Sequence, residues 1–322
     1  MSGHRRTFGS HLVVAIAACG AFAPVSRAQS GGASHVLLVT ALSGEPRFAA
    51  LFHAEAASIY DAAKTRWGVA DSSLIYLAED PAQDPARIRG RATREGIAAA
   101  LGTLARRAAP GDVVLVMLIG HGSGEGAESR LNLPGPDASA ADFSVWLRPL
   151  AGRLVVLVNA ASASGDFLPV LTGPDRIIIT ATRSAMERNE TAFAEQFTKG
   201  LTSEAGDADK DGRVTVLEAF TFARQGVARY YEGKSQLATE HAQLSGDSAV
   251  ARTIAFGTAS APTDPRIAAL YTERRSLENQ VDQLRRRKGT MDSTAYEGEL
   301  ERLLLEIATR TAAIRAAEGR KP

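Results

Sequence analysis

Short apolar runs alternate with longer amphipathic stretches between Ser34 and about Leu201. The apolar runs are rich in branched residues and lack polar alternation, which is typical of strands covered on both faces. The stretches between them carry alanines and leucines at helical spacing. The pattern predicts strands at 35–40, 73–77, 113–119, 154–158 and 176–180 and helices at 47–66 and 91–108. Strands that alternate with helices imply a three-layer α/β/α fold with a mostly parallel sheet and right-handed crossovers.

A different pattern follows the last predicted strand. Residues 192–232 have the pattern of a helix, an acidic loop and a second helix. His241, in the polar segment Thr239-Glu240-His241, is expected on the surface, and irregular chain is expected after it to about Pro265. The change of pattern predicts that this region extends the α/β body without repeating its strand and helix alternation.

The C-terminal part carries apolar residues at spacings of three and four, first in 266–287 and again in 294–317. This spacing predicts two helices joined as an antiparallel hairpin, and Thr294 fits the start of a capping box for the second. Arg274 and Arg310 fall on the apolar seam, which disfavours a free-standing coiled coil. We expect the hairpin to pack on the α/β body or on a second copy of the chain.

The first 28 residues have the pattern of an export signal. Arg5 and Arg6 precede a short apolar run at 12–23, and a small-x-Ala site ends at Ala28. The run is too short for a membrane span, and no other window approaches the roughly 20 apolar residues that one requires. An alternative is lipoprotein processing, in which the chain is anchored through Cys19. The protein is therefore expected to be exported, periplasmic or secreted, without a transmembrane span.

Composition excludes several classes of function. The chain has 322 residues, of which 45% are hydrophobic and 23% charged, enough for one large domain or two modest ones. Lys and Arg number 37 against 36 Asp and Glu, and loss of the three arginines of the export signal takes the net charge from +1 to −2. No basic stripe offers a surface for nucleic acid. Because Cys19 is the only cysteine, the folded body has no disulfide, zinc-cysteine site or cysteine nucleophile.

Two loops carry residues suited to catalysis. His121 lies between glycines after the strand at 113–119, and Ser162 and Ser164 follow the strand at 154–158. Because parallel strands end at the same edge of a sheet, His121 is expected to meet Ser162 or Ser164 if the strands are neighbours. A histidine that faces a hydroxyl is half of a catalytic dyad, and the glycine amides offer an oxyanion hole.

These motifs resemble those of the caspase-fold cysteine peptidases, in particular the legumain-like branch. The resemblance runs from about His35 to Leu244 and covers the Gly-His-Gly-Ser loop, the motif closed by Ser-Gly and the strand end at 180–184. In that family the histidine is the general base, and a cysteine two residues before the Ser-Gly pair is the nucleophile. The resemblance implies that His121 is the base, that Gly122 supplies the oxyanion amide and that Ser162 stands at the nucleophile position.

The serine at position 162 changes the expected chemistry. A thiol ionises easily, whereas a hydroxyl needs a base held within hydrogen-bond reach and oriented by a third group. The sequence therefore favours a pseudopeptidase that binds a peptide or a protein partner. One alternative is an active peptidase or transpeptidase that uses Ser162 with His121 as base. Another is a structural protein that works through the hairpin, with a second copy as a partner.

The acidic loop matches the EF-hand pattern, with carboxylates at loop positions 1, 3 and 5, glycine at position 6 and glutamate at position 12. The predicted ligands are Asp207, Asp209, Asp211, the carbonyl of Arg213, Thr215 and Glu218. Hard oxygen ligands of this number suit Ca²⁺, and an extracellular site of this kind binds it weakly, with a Kd on the order of 10⁻⁴ to 10⁻³ M. A single hand on an enzyme-like fold is expected to be structural.

The predicted organisation has four parts. They are an export signal at 1–28, a caspase-like and legumain-like α/β domain at 34–202, the calcium loop with a helix and an irregular extension at 203–262, and the helical hairpin at 263–322.

Overall fold

The structure is a computed structural model that describes residues 32–209, 212–256 and 264–317. The expected export signal, Cys19 and the predicted ligand Asp211 lie outside the described residues. All described residues belong to one compact unit, Gly31–Pro322.

Seven strands form the central sheet, in the order β10-β9-β8-β4-β1-β2-β3, and a separate small sheet has the order β5-β6-β7. The strands are β1 (Ser34–Thr40), β2 (Leu74–Ala78), β3 (Gly90–Arg91), β4 (Val113–Ile119), β5 (Gly122–Ser123), β6 (Arg130–Leu131), β7 (Ala138–Ser139), β8 (Leu154–Asn159), β9 (Arg176–Thr180) and β10 (Gln243–Ser245). All neighbours in the central sheet are parallel except β10, which is antiparallel to β9. The predicted α/β class with a mostly parallel sheet is confirmed.

Helices cover both faces of this sheet. They are α1 (Pro46–Thr65), α2 (Arg94–Arg107), α3 (Ala140–Trp146), α4 (Phe167–Leu171), α5 (Phe193–Thr202), α6 (Val216–Gly233), α7 (Ser248–Thr253), α8 (Pro265–Arg287) and α9 (Ser293–Ala317). Alternate residues of β1 point to opposite sides, so that Val36 and Leu38 pack with α1, α5 and α6. Leu37 and Val39 pack with α2, α3 and α4. The continuous apolar run of β1 is therefore explained by burial on both faces.

Two regions differ from the sequence prediction. The loop after β4 contains the small sheet β5-β6-β7, and the segment expected to be irregular contains β10 and α7. β10 pairs with β9 through only three residues, from Gln243 to Ser245. Strands of two or three residues are too short to show a repeating pattern, so pairing partners distant in sequence decide them.

The C-terminal hairpin has its own apolar cluster, which is formed by Leu277, Val281, Leu284 and Leu303. The sequence predicts Thr294 as the cap of its second helix, and this prediction is wrong, because the cap is Asp292, two positions earlier. The Asp292 side chain accepts a hydrogen bond from the Ala295 amide at 3.0 Å, and its carbonyl accepts one from the Tyr296 amide. Aspartate is at least as good a helix cap as threonine, which explains why α9 begins before Thr294.

Candidate functional site

The loops that follow β4 and β8 meet at one edge of the sheet. The two strands are parallel neighbours with Leu118 opposite Asn159, so their carboxyl ends lie side by side. Beyond these ends, the Gly122 amide donates a hydrogen bond to the Ser162 hydroxyl oxygen at 3.4 Å. The two loops that carry the predicted catalytic residues therefore share one cleft.

Gly122 is required by this close approach. A Cβ atom at this position would lie 2.4 Å from the Ser162 carbonyl oxygen and 2.9 Å from that of Arg130. Both neighbours are backbone atoms, which cannot move aside as a flexible side chain could. The loop is also held in place by the Asn132 amide, which donates to the His121 carbonyl oxygen at 3.0 Å. The Gly122 amide is thus fixed where it points at residue 162.

The His121 ring packs against helix α1. Its centroid lies 4.7 Å from that of Phe48 and 5.3 Å from that of Phe52, both in edge-to-face geometry. Burial lowers the pKa of His121, and a hydrogen bond to the Ser43 backbone opposes this effect. The imidazole is therefore neutral at neutral pH. Among the described residues, no hydrogen bond joins this ring to the Ser162 hydroxyl.

Ser162 and Ser164 are both buried, at 3% and 1% exposure. Between them Ala163 has a positive φ of 53°, a left-handed conformation that is costly for a residue with a Cβ. The turn is fastened to the chain after β9, because the Ala163 amide donates to the Glu187 carbonyl and the Gly165 amide donates to the Thr182 hydroxyl. This sharp turn orients the Ser162 hydroxyl toward the Gly122 amide.

The segment after α6 anchors the far side of the cleft. The buried Glu240 carboxylate accepts hydrogen bonds from the Ala192 and Phe193 amides, at 2.7 and 3.1 Å, and so caps the first turn of α5. His241 Nδ1 lies 2.6 Å from Glu187 Oε1. The His241 side chain is 48% exposed, in line with its expected surface position. Together these contacts fix the loop from Glu187 to the start of α5.

A recess lies beside His121, between α1 and this loop. Its polar lining includes Glu55 and Glu190, neither of which the motifs indicate. One feature of the sequence did point to Glu55: it stands on the face of α1 that also carries Phe48, Phe52 and Ile59. A glutamate within an apolar helix face is uncommon unless it has a structural or functional role.

The acidic loop brings three of its predicted ligands together. Ligand oxygens of Asp207, Asp209 and Glu218 lie within 4.8 Å of one another. The Gly212 amide donates to Asp207 Oδ2 at 3.0 Å, and Gly212 has the positive φ of 83° that the sharp turn needs. Carboxylates this close repel one another unless a cation or a proton lies between them.

The other predicted ligands of this loop have structural partners. Thr215 caps α6 and exchanges hydrogen bonds with Glu218 in a capping box. Glu218 Oε1 also accepts from the amides of Ala208 and Asp209, at 3.1 and 3.3 Å. Burial raises the pKa of Glu218 to about 7, and the Asp209 charge adds to the effect. Arg213 is partly buried.

Arg274 of α8 inserts a guanidinium into this loop. Its Nη1 donates to the Asp209 carbonyl at 2.8 Å, and its Nη2 lies 2.5 Å from Asp209 Oδ2. Arg274 is only 3% exposed. The hairpin therefore contacts the α/β body through the acidic loop, and a metal ion that binds Asp209 has to compete with this arginine. The donor set of hard carboxylate oxygens suits a cation such as Ca²⁺.

The chain matches no protein-family model and no curated protein. In the ranges 32–209, 212–256 and 264–317, no helix combines the length and the apolar composition needed to cross a membrane. Function is therefore inferred from the geometry of the cleft and of the acidic loop.

Proposed function

We propose that this chain is an exported caspase-fold protein of the legumain-like type that binds peptide in the cleft between the β4 and β8 loops and lacks peptidase activity. The observation that carries the proposal is the hydrogen bond from the Gly122 amide to the Ser162 hydroxyl. The Gly122 amide, which is suited to bind an oxyanion, lies beside residue 162, but this residue carries a hydroxyl instead of the thiol of the cysteine peptidases. Loops that recognise a peptide backbone need such amides whether or not a bond is cleaved.

The environment of Ser162 favours binding over hydrolysis. An active serine needs its base within about 3 Å and a third group that orients the base. Here the Ser162 hydroxyl is engaged by a backbone amide and is almost fully buried. The His121 ring instead packs against Phe48 and Phe52. The alternative of a Ser162-dependent peptidase or transpeptidase has less support from these contacts.

A serine-directed fluorophosphonate probe separates the two functions. We expect no covalent label on Ser162 in the parent protein, because no base among the described residues is hydrogen-bonded to its hydroxyl. The His121→Ala variant is the control. Labelling of Ser162 in the parent that disappears in this variant would overturn the pseudopeptidase proposal.

Replacing Ser162 by cysteine tests whether the cleft descends from a peptidase site. We expect Ser162→Cys to gain peptide hydrolysis, since a thiolate is nucleophilic even with a loosely placed histidine. Ser164→Cys is a matched control, because Ser164 is equally buried but bonds to Thr182. Equal behaviour of the two variants would argue against the assigned roles of Ser162 and His121.

We further propose that the acidic loop binds Ca²⁺ in the manner of an EF-hand. Asp207, Asp209 and Glu218 supply the carboxylates, and calcium would relieve their mutual repulsion. Millimolar CaCl₂ is expected to raise the melting temperature of the parent and to have little effect on Asp207→Ala. An equal rise in both proteins would exclude this loop as the site.

One observation favours the alternative that the hairpin assembles the protein. Leu304 and Leu305 of α9 are 48% and 62% exposed. If they form an interface with a second copy, the molar mass of the parent in solution is twice that of a Leu304→Glu, Leu305→Glu variant. A monomeric parent removes this alternative.

A further inference from the structure

The recess beside His121 is closed by α1 on one side and by the loop before α5 on the other. About 280 Å³ of empty space lies within it when the open solvent at its mouth is counted, and its enclosed part has room for about one water-sized group. Apolar side chains and two carboxyl groups line it. They include Leu51, Phe52, Glu55, Ala160, Glu190 and Thr191. The Thr191 hydroxyl donates to the Ala160 carbonyl at 2.9 Å, so the recess wall is tied directly to the turn that carries Ser162.

Glu55 is the polar group at the base of this recess. The residue is 6% exposed, and its Oε2 atom has no hydrogen-bond partner among the described residues. A buried carboxyl oxygen without a hydrogen-bond partner destabilises the fold. Such groups usually bind a ligand or a water molecule, or take part in catalysis. Glu55 thus offers an unused acceptor inside a cleft already assigned to peptide binding.

The charges around Glu55 are of one sign. Burial is the main effect that raises the pKa of Glu55 to about 8, and the nearby carboxylates of Glu195 and Glu190 contribute to this rise. Glu190 pairs with Arg47, whose Nη1 lies 3.8 Å from it and whose guanidinium lies over the Phe48 ring. No ion pair between a described cation and Glu55 is present. A cationic group that enters the recess would therefore be attracted by the Glu190 carboxylate, and its charge would favour ionisation of the Glu55 carboxyl.

A metal ion does not fit this arrangement. Among the described residues the carboxylates that converge closely enough to hold a metal are those of the acidic loop, and Glu55 is not one of them. The recess is small, and Leu51, Phe52 and Ala194 contribute apolar surface to its lining. These features suit a small cation at the end of a straight alkyl chain, whose methylene groups contact Leu51 and Phe52 while its charge reaches Glu55.

We propose that the recess binds a primary ammonium group, namely the lysine side chain of a bound peptide, with Glu55 at its base and Glu190 at its mouth. This inference rests on the proposed peptide-binding function and adds its specificity. The ammonium group donates to the free Glu55 oxygen, and its charge keeps the Glu55 carboxyl ionised. The peptide backbone lies beside the recess, along the Gly122 amide.

Paired peptide pools test the inference. One pool of labelled octapeptides has a fixed lysine, and the matched pool has norleucine, which keeps the alkyl chain and lacks the ammonium group. We expect the parent to bind the lysine pool about tenfold tighter by fluorescence anisotropy, the gain of one charge-assisted hydrogen bond. In Glu55→Gln, which keeps the shape of the side chain, we expect the lysine and norleucine pools to bind with about equal affinity. Glu195→Gln is the control, because Glu195 does not line the recess, and it is expected to retain most of the preference.

The outcomes separate this inference from the proposed function. Equal affinity for both pools would overturn the ammonium site and leave peptide binding standing. If neither pool binds, n-butylammonium and n-butanol are titrated into the parent and Glu55→Gln and followed by NMR. Chemical-shift changes with n-butylammonium in the parent alone would support the recess without peptide binding, and no change with either compound would overturn it.

Discussion

Ser162, His121 and Gly122 illustrate how far single residues specify the site. The motifs place them on two loops, and the structure brings the Gly122 amide to 3.4 Å from the Ser162 hydroxyl. The orientation of the His121 ring could not be predicted from the sequence, because Phe48 and Phe52 contact it from a helix about 70 residues earlier in the chain. Its orientation toward α1 is the feature that most weakens the serine-peptidase alternative.

Glu55 shows the opposite case, a site residue without a motif. Its place on an apolar helix face was visible in the sequence. Its neighbours Glu190 and Glu195 could not be predicted, because they come about 140 residues later and approach Glu55 only in the folded chain. Long-range proximity of this kind depends on the whole topology of the sheet.

Gly122→Ala is expected to damage the cleft. The added Cβ meets two carbonyl oxygens at under 3.0 Å, so the loops must separate. Unfolding in urea should show a loss of about 1–3 kcal/mol in the free energy of unfolding. Gly298→Ala, in an exposed turn of α9 with open space at the Cβ position, is the control and should gain up to about 1 kcal/mol. Similar effects of both changes would contradict the assigned packing.

Glu55→Gln is expected to change how stability depends on pH. The folded pKa of about 8 lies above the usual value of 4.5, so between these values the folded state keeps a proton that the unfolded state has lost. The free energy of unfolding of the parent therefore falls as pH rises through this window. The variant lacks this loss and should exceed the parent by on the order of 4 kcal/mol at pH 8, with little difference at pH 4. Parallel stability curves would show that Glu55 is not buried as described.

At the scale of elements, the long strands and helices follow from their patterns. β4 and β9 have the predicted bounds, and α1 begins at Pro46, one residue before its predicted start. The helices show a period over ten residues or more, and β4 and β9 are continuous apolar runs of seven and five residues. Two-residue strands such as β5 and β6 carry no period, which is why the small sheet beside His121 was not predicted.

The hairpin was expected on the α/β body or on a second copy, and Arg274 supplies a contact with the body. Its position on an apolar seam is explained by its partner, the Asp209 carboxylate and carbonyl. A buried arginine on a helix seam is tolerated only where an acceptor satisfies its charge. The acidic loop thus has a partner within the chain, and the sequence spacing of its ligands gave no indication of it.

Arg274→Met is expected to lower the free energy of unfolding by about 2 kcal/mol, since Asp209 loses a buried partner. It should also enlarge the rise in melting temperature caused by CaCl₂, because the guanidinium no longer competes for Asp209. Arg302→Met, which removes ion pairs to Glu299 and Glu306 on the exposed face of α9, is the control and should cost at most about 1 kcal/mol. An unchanged calcium effect in Arg274→Met would show that Asp209 is not a ligand.

At the scale of the whole molecule, the cleft is assembled from segments spread over most of the chain. The loops after β4 and β8 form its floor, α1 supplies one wall, and the loop fixed by Glu240 supplies the other. Each segment follows a strand end or a helix end at the same edge of the sheet, as is usual for sites on parallel sheets. A peptide seated there would contact all of them.

The most direct test of the central claim is to locate a bound peptide. A lysine-containing peptide with a photoreactive leucine is irradiated with the parent protein, and the modified residues and the peptide are identified by mass spectrometry. The account predicts an intact peptide attached to the loops at 120–123 and 160–165. Cleavage of the peptide, or attachment confined to other surfaces, would contradict it.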